Sequence, residues 1–230
     1  EHVLLKEEDE FRVQDSFIDW LHKDLDMVFL CNPNNPTGIL TDREFLFRLL
    51  RVCREMGIFL VVDECFQDFI REPGQYSLKA QLPRYHNLFL LKAFTKRYAM
   101  AGVRLGYGIT ENEELLEKMT QATQPWNISI PAQAAGIAAL GEVEYVERAR
   151  KLIFAESEYL SEELYKLGMT VFPSQANYLF FKGPEDLFEI CVGQNVLIRD
   201  CSNYPGLSKG FYRVAVRTHE ENERLIQAIH

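Results

Sequence analysis

The sequence lacks long hydrophobic runs and an excess of positive charge, and both absences exclude classes of protein. A helix that spans a bilayer needs about 20 consecutive apolar residues, and no segment of this chain approaches that length. The 34 acidic residues outnumber the 25 basic ones, so the net charge of -9 disfavours nucleic acid and anionic lipid as partners. We therefore predict a cytoplasmic protein that binds neither a membrane nor a nucleic acid.

The number and spacing of the cysteines indicate neither a disulfide framework nor a metal site. The five cysteines are odd in number, form no CxxC pair and have no neighbouring histidine. Neither a disulfide framework nor a zinc site is indicated by such a pattern. We predict no metal site, and buried free thiols in a reducing compartment at Cys31, Cys53, Cys65, Cys191 and Cys201.

The first half of the chain alternates strand and helix patterns. Met27 to Cys31 is a short apolar run, Thr41-x-x-Glu44 has the pattern of a capping box, and Gly57 is placed to end the helix between them. Ile58 to Val62 is a second apolar run, of the kind that is buried on both faces of a parallel sheet. This order of elements predicts a βαβ unit, and apolar runs at 87–91 and 105–109 predict two further strands.

After Pro131 the pattern changes to helices followed by short strands. Thr218-x-x-Glu221 has the pattern of a capping box, as does Thr110-x-x-Glu113 earlier in the chain. A long amphipathic helix is predicted over 143–167, with short strands at 169–172, 177–181, 196–199 and 211–216. We predict a large α/β domain at residues 1–141 and a small α+β domain at 142–230, which includes the long connecting helix.

Polar and charged residues follow the predicted strands, at the edge where open α/β sheets bind ligands. The turn from Asn32 to Gly38 contains two prolines that favour a rigid conformation, although an ordinary turn explains it equally well. Asp63 ends the second strand, where an aspartate could also cap a helix or bind a cation. Lys96 follows the third strand, and Arg104 stands eight residues later. We expect these side chains to meet at one edge, where the lysine would be suited to form an imine.

Four sequence elements together resemble the signature of the class I/II aminotransferases, which depend on pyridoxal 5'-phosphate. They are Asn35-Pro36-Thr37-Gly38, Asp63, Thr95-Lys96 and Gly102-x-Arg104-x-Gly106, and the resemblance extends over nearly the whole chain. It implies that Lys96 binds the cofactor covalently and shuttles protons, and that Asp63 keeps the pyridine nitrogen protonated. It also implies that Asn35 bonds the ring hydroxyl oxygen and that Arg104 binds the cofactor phosphate.

The resemblance implies a fold of the α/β class as well. We expect a truncated fold-type-I large domain, built on a mostly parallel sheet with helices, and a small α+β C-terminal domain. Glu1 is not a methionine and Val3 to Leu5 resembles a strand entered partway, so we expect an N-terminal part to be missing. By the family's topology, four neighbouring strands then remain, with both outer edges deprived of partners. Such edges favour association, and the family implies a homodimer.

Within this superfamily, the chain most resembles the threonine-phosphate decarboxylases of cobalamin biosynthesis, which are relatives of the histidinol-phosphate aminotransferases. Residues 63–69, 95–102, 198–207 and 213–218 carry this likeness. It implies that Arg213 binds the α-carboxylate of a small amino-acid phosphate substrate. Arg199 and Arg217 are further cations for the substrate phosphate, and a structural ion pair explains either of them equally well.

Three features depart from the family pattern. Phe66 stands where many members have a tyrosine that bonds the ring oxygen, and Ala93 stands where a hydroxyl residue commonly binds the phosphate. Nothing before Asn32 resembles the family's glycine-rich phosphate cup or its ring-stacking aromatic residue. We therefore expect weakened cofactor affinity, because a helix N-terminus supplies charge-assisted hydrogen bonds to a phosphate.

Three functional hypotheses remain. The leading one is a lyase that decarboxylates L-threonine O-3-phosphate to aminopropanol phosphate, and the second is an aminotransferase of the histidinol-phosphate type. They differ in which bond at the substrate Cα lies perpendicular to the conjugated plane, and the sequence does not specify this orientation. The third is a folded but non-catalytic fragment.

Overall fold

Apolar strands separated by helices build the first of two sheets. The computed structural model describes residues 1–230. Four strands lie side by side in the order β1 (Met27–Cys31), β2 (Phe59–Asp63), β3 (Leu88–Ala93) and β4 (Gly106–Ile109). The predicted set of four neighbouring strands, with the first and the fourth at the outer edges, is confirmed.

The direction of β4 decides which residues share an edge of this sheet. Strands β1, β2 and β3 are parallel, and Asp63 at the end of β2 lies opposite Leu91 of β3. Strand β4 is antiparallel to β3, and Ala93 lies opposite Gly106. Because of this reversal, the beginning of β4 lies at the same edge as the ends of β2 and β3.

Helix α1 (Arg43–Met56) follows β1, and its apolar face is fully buried. Its N-cap is Asp42, whose side chain accepts the backbone N–H of Phe45 at 3.0 Å, so the predicted capping box at Thr41 is wrong. The backbone N–H of Thr41 instead donates to the Asn32 side chain. Gly57 ends the helix with φ 76°, a left-handed conformation that suits glycine.

Four further helices accompany the first sheet. They are α2 (Pro73–Tyr76), α3 (Phe94–Arg97), α4 (Glu113–Ala122) and α5 (Ile130–Ala139). The N-cap of α4 is Asn112, which accepts the Leu115 N–H at 2.8 Å, so the predicted capping box at Thr110 is also wrong. The Thr110 hydroxyl donates to the Leu88 carbonyl at 2.7 Å, which commits it to the sheet.

The second sheet is antiparallel throughout. After the long helix α6 (Val143–Lys166), its strands are β5 (Thr170–Val171), β6 (Tyr178–Lys182), β7 (Arg199–Asp200) and β8 (Phe211–Ala215), arranged in the order β5-β6-β8-β7. Two helices complete it, α7 (Leu187–Gly193) and α8 (His219–Ile229). The capping box of Thr218 and Glu221 at the start of α8 is confirmed.

Alternate residues of the antiparallel strands enter two apolar clusters. Leu179 and Phe181 pack with residues of α6, α7 and α8. Phe180 packs instead with Phe11, whose ring also meets Phe172 and Phe211 edge-on, at centroid distances of 5.0 to 5.7 Å. The N-terminal segment therefore completes the core of the antiparallel sheet. The segment containing Val3 to Leu5, where a strand was expected, has no regular secondary structure.

The chain divides into two compact units. The antiparallel-sheet unit contains Glu1–Gln14, Pro33–Leu40 and Arg148–His230, and the mixed-sheet unit contains Asp15–Asn32 and Thr41–Glu147. These units differ from the predicted ranges 1–141 and 142–230, because Phe11 is buried in the antiparallel-sheet unit and Gln175 donates a backbone hydrogen bond to Gly38 at 2.7 Å. All five cysteines are free, and none of the helices is long and apolar enough to cross a membrane.

Candidate functional site

Asp63 is placed by the buried strand that precedes it. Leu60, Val61 and Val62 are buried, and β2 ends at Asp63, whose side chain is partly exposed. Its Oδ1 accepts the backbone N–H of Cys65 at 2.9 Å, which fixes the carboxylate in a short turn. Burial first, and then the Asp63 carboxylate, raise the pKa of the Cys65 thiol above its ordinary range, which favours the protonated thiol.

Two lysines stand near the end of β3 in different surroundings. Lys96 lies in α3 with an exposed side chain, and its Nζ lies 5.2 Å from the centre of the Phe66 ring, without a carboxylate partner. Lys92 lies in β3, and its Nζ is 2.8 Å from Oε2 of Glu64. The Lys92 side chain is 13% exposed and that of Glu64 is 0% exposed. The amine of Lys96 is therefore accessible, whereas that of Lys92 is held in an ion pair with the buried carboxylate of Glu64.

Arg104 lies just before β4, in a strained backbone conformation. Its φ of 57° and ψ of 43° are left-handed, and Ala99 in the same loop has φ 53°. A non-glycine residue pays about 1–2 kcal/mol for this conformation, and such strain is often found at functional sites. The exposed Arg104 guanidinium donates only to the Ala101 carbonyl, at 3.0 Å. Three candidate residues therefore lie at one edge of the mixed sheet. Asp63 is the last residue of β2, Lys96 follows β3, and Arg104 precedes β4.

Asn35 and Arg213 are joined directly in the antiparallel-sheet unit. Arg213 Nη1 donates to the side-chain oxygen of Asn35, and the Asn35–Pro36 peptide is cis. A guanidinium can only donate hydrogen bonds, so the amide oxygen of Asn35 must face Arg213 and its NH2 group is left to donate elsewhere. The guanidinium also lies 4.9 Å from the centre of the Tyr178 ring, and the Tyr178 hydroxyl donates to the Asn34 carbonyl at 2.8 Å. These contacts fix the position of Arg213.

Arg199 lies opposite Arg213 on the neighbouring strand. The register of β7 and β8 pairs the two arginines, so their side chains leave the same face of the sheet. Arg199 Nη2 donates to the Asn203 side chain at 2.9 Å, and its guanidinium lies 5.6 Å from the Tyr204 ring centre. An open cavity of about 520 Å³ is lined by Arg199, Ser202 and Asn203 among others. Asp200 also lines this cavity, and its carboxylate accepts the Ser202 N–H and hydroxyl. Arg199 and Arg213 have no carboxylate partner of their own, so both guanidinium groups can bind an anion.

Arg217 has a carboxylate partner of its own. Its Nη2 lies 2.6 Å from Oε1 of Glu221, and its Nε donates to the same oxygen at 2.8 Å. Hydrogen bonding from Arg217 lowers the pKa of Glu221 from 4.5 to about 2. This geometry corresponds to the ion-pair alternative for Arg217, and its role toward a substrate stays a prediction.

Three contacts of the candidate residues and their neighbours, two in the mixed-sheet unit and one in the antiparallel-sheet unit, were not predicted from the sequence. They are the Glu64–Lys92 pair, the Phe66 ring beside Lys96, and the Tyr178 contact with Arg213. Glu64 is visible in the sequence as the neighbour of Asp63, but its pairing depends on the parallel register of β2 and β3. Tyr178 and Arg213 belong to different strands, and no local pattern relates them.

The comparisons with known proteins agree on one family. The sequence model of the family Aminotransferase class I and II matches residues 5–229. A threonine-phosphate decarboxylase of Salmonella typhimurium is 35% identical, over 98% of this chain and 62% of that protein. A histidinol-phosphate aminotransferase of Desulfitobacterium hafniense is 39% identical, over 88% of this chain and 55% of that protein. The chain therefore spans less than two thirds of the length of these relatives.

Solved structures show the same similarity in three dimensions. The histidinol-phosphate aminotransferase from Clostridium acetobutylicum superposes with a TM-score of 0.85 and 33% identity, covering 90% of this chain and 63% of that one. A decarboxylase from Sulfurospirillum multivorans superposes with a TM-score of 0.87 and 26% identity, covering 98% of this chain and 67% of that one. The fold of this chain, with its mixed sheet and its antiparallel sheet, is therefore similar to that of solved relatives.

Proposed function

Because the chain belongs to the family Aminotransferase class I and II, whose members depend on pyridoxal phosphate, we propose that it carries the cofactor-binding lysine of a decarboxylase acting on an amino-acid phosphate. The proposed reaction converts L-threonine O-3-phosphate to aminopropanol phosphate, as part of cobalamin biosynthesis. The proposed enzyme is a cytoplasmic homodimer with a small-molecule substrate. One observation carries the proposal: Asp63, Lys96 and Arg104 lie at the same edge of the mixed sheet, and none of them forms a salt bridge.

These three side chains match the chemical groups of the cofactor. Lys96 offers an accessible amine for an aldehyde, Asp63 a carboxylate for a protonated ring nitrogen, and Arg104 an exposed guanidinium for a phosphate. Pyridoxal phosphate, when bound, supplies a conjugated ring that accepts the electron pair left at Cα by bond cleavage. Asp63 supports this chemistry because its negative charge stabilises a proton on the ring nitrogen. Lys96 Nζ then holds and returns the proton that Cα requires.

The antiparallel-sheet unit supplies the proposed substrate contacts. Arg213 binds the α-carboxylate in a bidentate manner, because its guanidinium is already oriented by Asn35 and Tyr178. The NH2 group of Asn35 is left to donate a hydrogen bond, which agrees with the cofactor-binding role that the family resemblance implies for it. Arg199 binds the substrate phosphate, and an anion between Arg199 and Arg213 would relieve the repulsion of two like charges on neighbouring strands.

An aminotransferase of the histidinol-phosphate type is the second candidate. The relative that favours it is 39% identical, which exceeds the 35% of the decarboxylase. The two reactions differ in the group placed perpendicular to the conjugated plane: the carboxylate for decarboxylation and the hydrogen for transamination. The position in which Arg213 holds a carboxylate therefore separates the two candidates.

The test uses the purified protein in the full length that its gene encodes. With pyridoxal phosphate and O-phospho-L-threonine, we expect release of CO2 and formation of aminopropanol phosphate without 2-oxoglutarate. Transfer of an amino group from histidinol phosphate to 2-oxoglutarate, without CO2 release, would establish the second candidate instead. A folded protein with neither reaction and no visible absorbance band on adding pyridoxal phosphate would be non-catalytic, and both candidates would be excluded.

A further inference from the structure

The segment from Glu64 to Asp68 runs alongside the segment from Lys92 to Arg97. Two ion pairs, one ring contact and a hydrogen bond from Lys92 to the Gln67 side chain join the two segments within the mixed-sheet unit. Glu64 pairs with Lys92, the Phe66 ring lies beside the Lys96 ammonium, and Asp68 pairs with Arg97. The two ion pairs therefore flank Lys96, and each takes its carboxylate from one segment and its cation from the other.

The inner pair joins a fully buried carboxylate to a lysine that is only slightly exposed. Besides Lys92, the carboxylate of Glu64 accepts the Ser77 hydroxyl at 2.9 Å and the Leu78 backbone N–H at 3.0 Å. Lys92 Nζ lies 2.8 Å from Glu64 and also donates to the Gln67 side chain at 3.3 Å. A buried charge that loses its partner is strongly destabilised, so each member of this pair holds the other in place.

The outer pair is more exposed to solvent than the inner pair. Asp68 and Arg97 are 20% and 35% exposed, so water weakens their attraction relative to the inner pair. The Phe66 ring offers the Lys96 ammonium a favourable cation–π contact. This contact leaves the amine accessible, whereas a carboxylate at the same place would bind it in a salt bridge.

We propose that Glu64 determines which of two neighbouring lysines can bind the cofactor, by holding Lys92 in an ion pair with its buried carboxylate while Lys96 stays accessible; this rests on the proposed function. Both lysines lie at the same end of β3, four residues apart, and both carry a primary amine. An amine must reach the aldehyde carbon to form an imine, and the salt bridge to Glu64 holds the Lys92 amine in place. Glu64 is a positioning residue in this scheme, because it acts through Lys92 and through the segment that carries Phe66.

The test measures where pyridoxal phosphate becomes attached. The protein is incubated with pyridoxal phosphate, reduced with borohydride and digested, and the labelled peptides are quantified by mass spectrometry. We expect the unvaried protein to carry its label on Lys96. In Glu64→Gln, which keeps the size of the side chain and an oxygen for Ser77 and Leu78, label on Lys92 should rise at least about tenfold.

Asp68→Asn is the matched control. It removes the same charge from the same segment, but its partner is Arg97, which forms no imine. We expect the ratio of Lys92 label to Lys96 label to remain that of the unvaried protein. Labelling of the exposed Lys23 reports non-specific reaction, because Lys23 lies outside both segments.

Two outcomes separate this inference from the proposed function. Absence of label at both lysines of the unvaried protein would reject the proposed function and the inference together. Label on Lys96, with no gain at Lys92 in Glu64→Gln, would overturn the inference alone. If Glu64→Gln does not fold, the unvaried protein is treated with acetic anhydride. Lys92 should then react at least about tenfold more slowly than Lys96, and equal rates would overturn the inference.

Discussion

The two units present their charged candidate residues in opposite ways. In the mixed-sheet unit, Asp63, Lys96 and Arg104 make only single local contacts, with a backbone N–H, an aromatic ring and a backbone carbonyl. In the antiparallel-sheet unit, Arg213 is bound to Asn35 and stacked near Tyr178. The first group therefore has its polar atoms available to an outside molecule, and the second is already organised by the protein itself.

This difference has a physical consequence for binding. An arginine that is held in place before its ligand arrives loses little conformational freedom on binding, so more of the contact energy appears as affinity. Charged side chains with few internal partners depend on the ligand for their interactions. Substitutions of Asp63, Lys96 or Arg104 should accordingly reduce chemistry with little loss of stability, and substitutions around Arg213 should reduce substrate recognition.

The largest effect is expected from Lys96→Met. Without the accessible amine of Lys96, covalent attachment of pyridoxal phosphate should be lost and turnover should fall on the order of a thousandfold or more. The matched control is Lys118→Met, because Lys118 is exposed and pairs only with Glu114 in α4. Peptide mapping after borohydride reduction measures the attachment. Stoichiometric label on Lys92 in the unvaried protein would contradict the assignment of Lys96.

Asp63→Asn should separate chemistry from folding. Asparagine retains an oxygen for the Cys65 N–H, so the melting temperature should stay close to that of the unvaried protein. A neutral amide no longer stabilises a proton on the ring nitrogen, so turnover should fall about a hundredfold or more. Steady-state kinetics and thermal unfolding, measured on the same preparation, test both statements. Unchanged turnover would show that Asp63 serves only its local turn.

Arg213→Lys should reduce recognition of the substrate carboxylate, because lysine cannot reproduce the planar bidentate contact. We expect kcat/KM to fall about tenfold to a hundredfold. Arg217→Lys is the comparison, since Arg217 already has Glu221 as its partner, and its kcat/KM should change about twofold or less. An equal loss in both variants would mean that Arg217 also binds substrate.

Much of the fold could be predicted because each strand of the first sheet is marked by a short apolar run in the sequence. The four runs that begin near Met27, Ile58, Asn87 and Leu105 all became strands of one sheet. The antiparallel direction of β4 had no such signal, because direction depends on how the chain returns to the sheet. Two helix caps were misplaced because the neighbouring Asp42 and Asn112 supplied better side-chain acceptors than the threonines.

The sequence identified candidate functional residues, but it did not predict the contacts between them. The family resemblance identified Asn35 and Arg213, but the hydrogen bond between them joins positions 178 residues apart. The pairing of Glu64 with Lys92 likewise requires the register of two strands. The Arg217–Glu221 pair could have been predicted from the sequence, because opposite charges four residues apart often form an ion pair.

The smallest effect is expected from Glu221→Gln, which tests the structural pair inside the antiparallel-sheet unit. The pKa of Glu221 is lowered to about 2 from 4.5, so its contribution to stability is present above pH 4.5 and is lost as the pH falls toward 2. Glutamine keeps the capping-box hydrogen bonds but not the charge. The variant should therefore melt slightly below the unvaried protein at pH 7, and the difference should vanish near pH 2. Because the pair is exposed, added salt should also shrink the difference at pH 7. A difference that persists at pH 2 would mean that the cap, and not the charge, was altered.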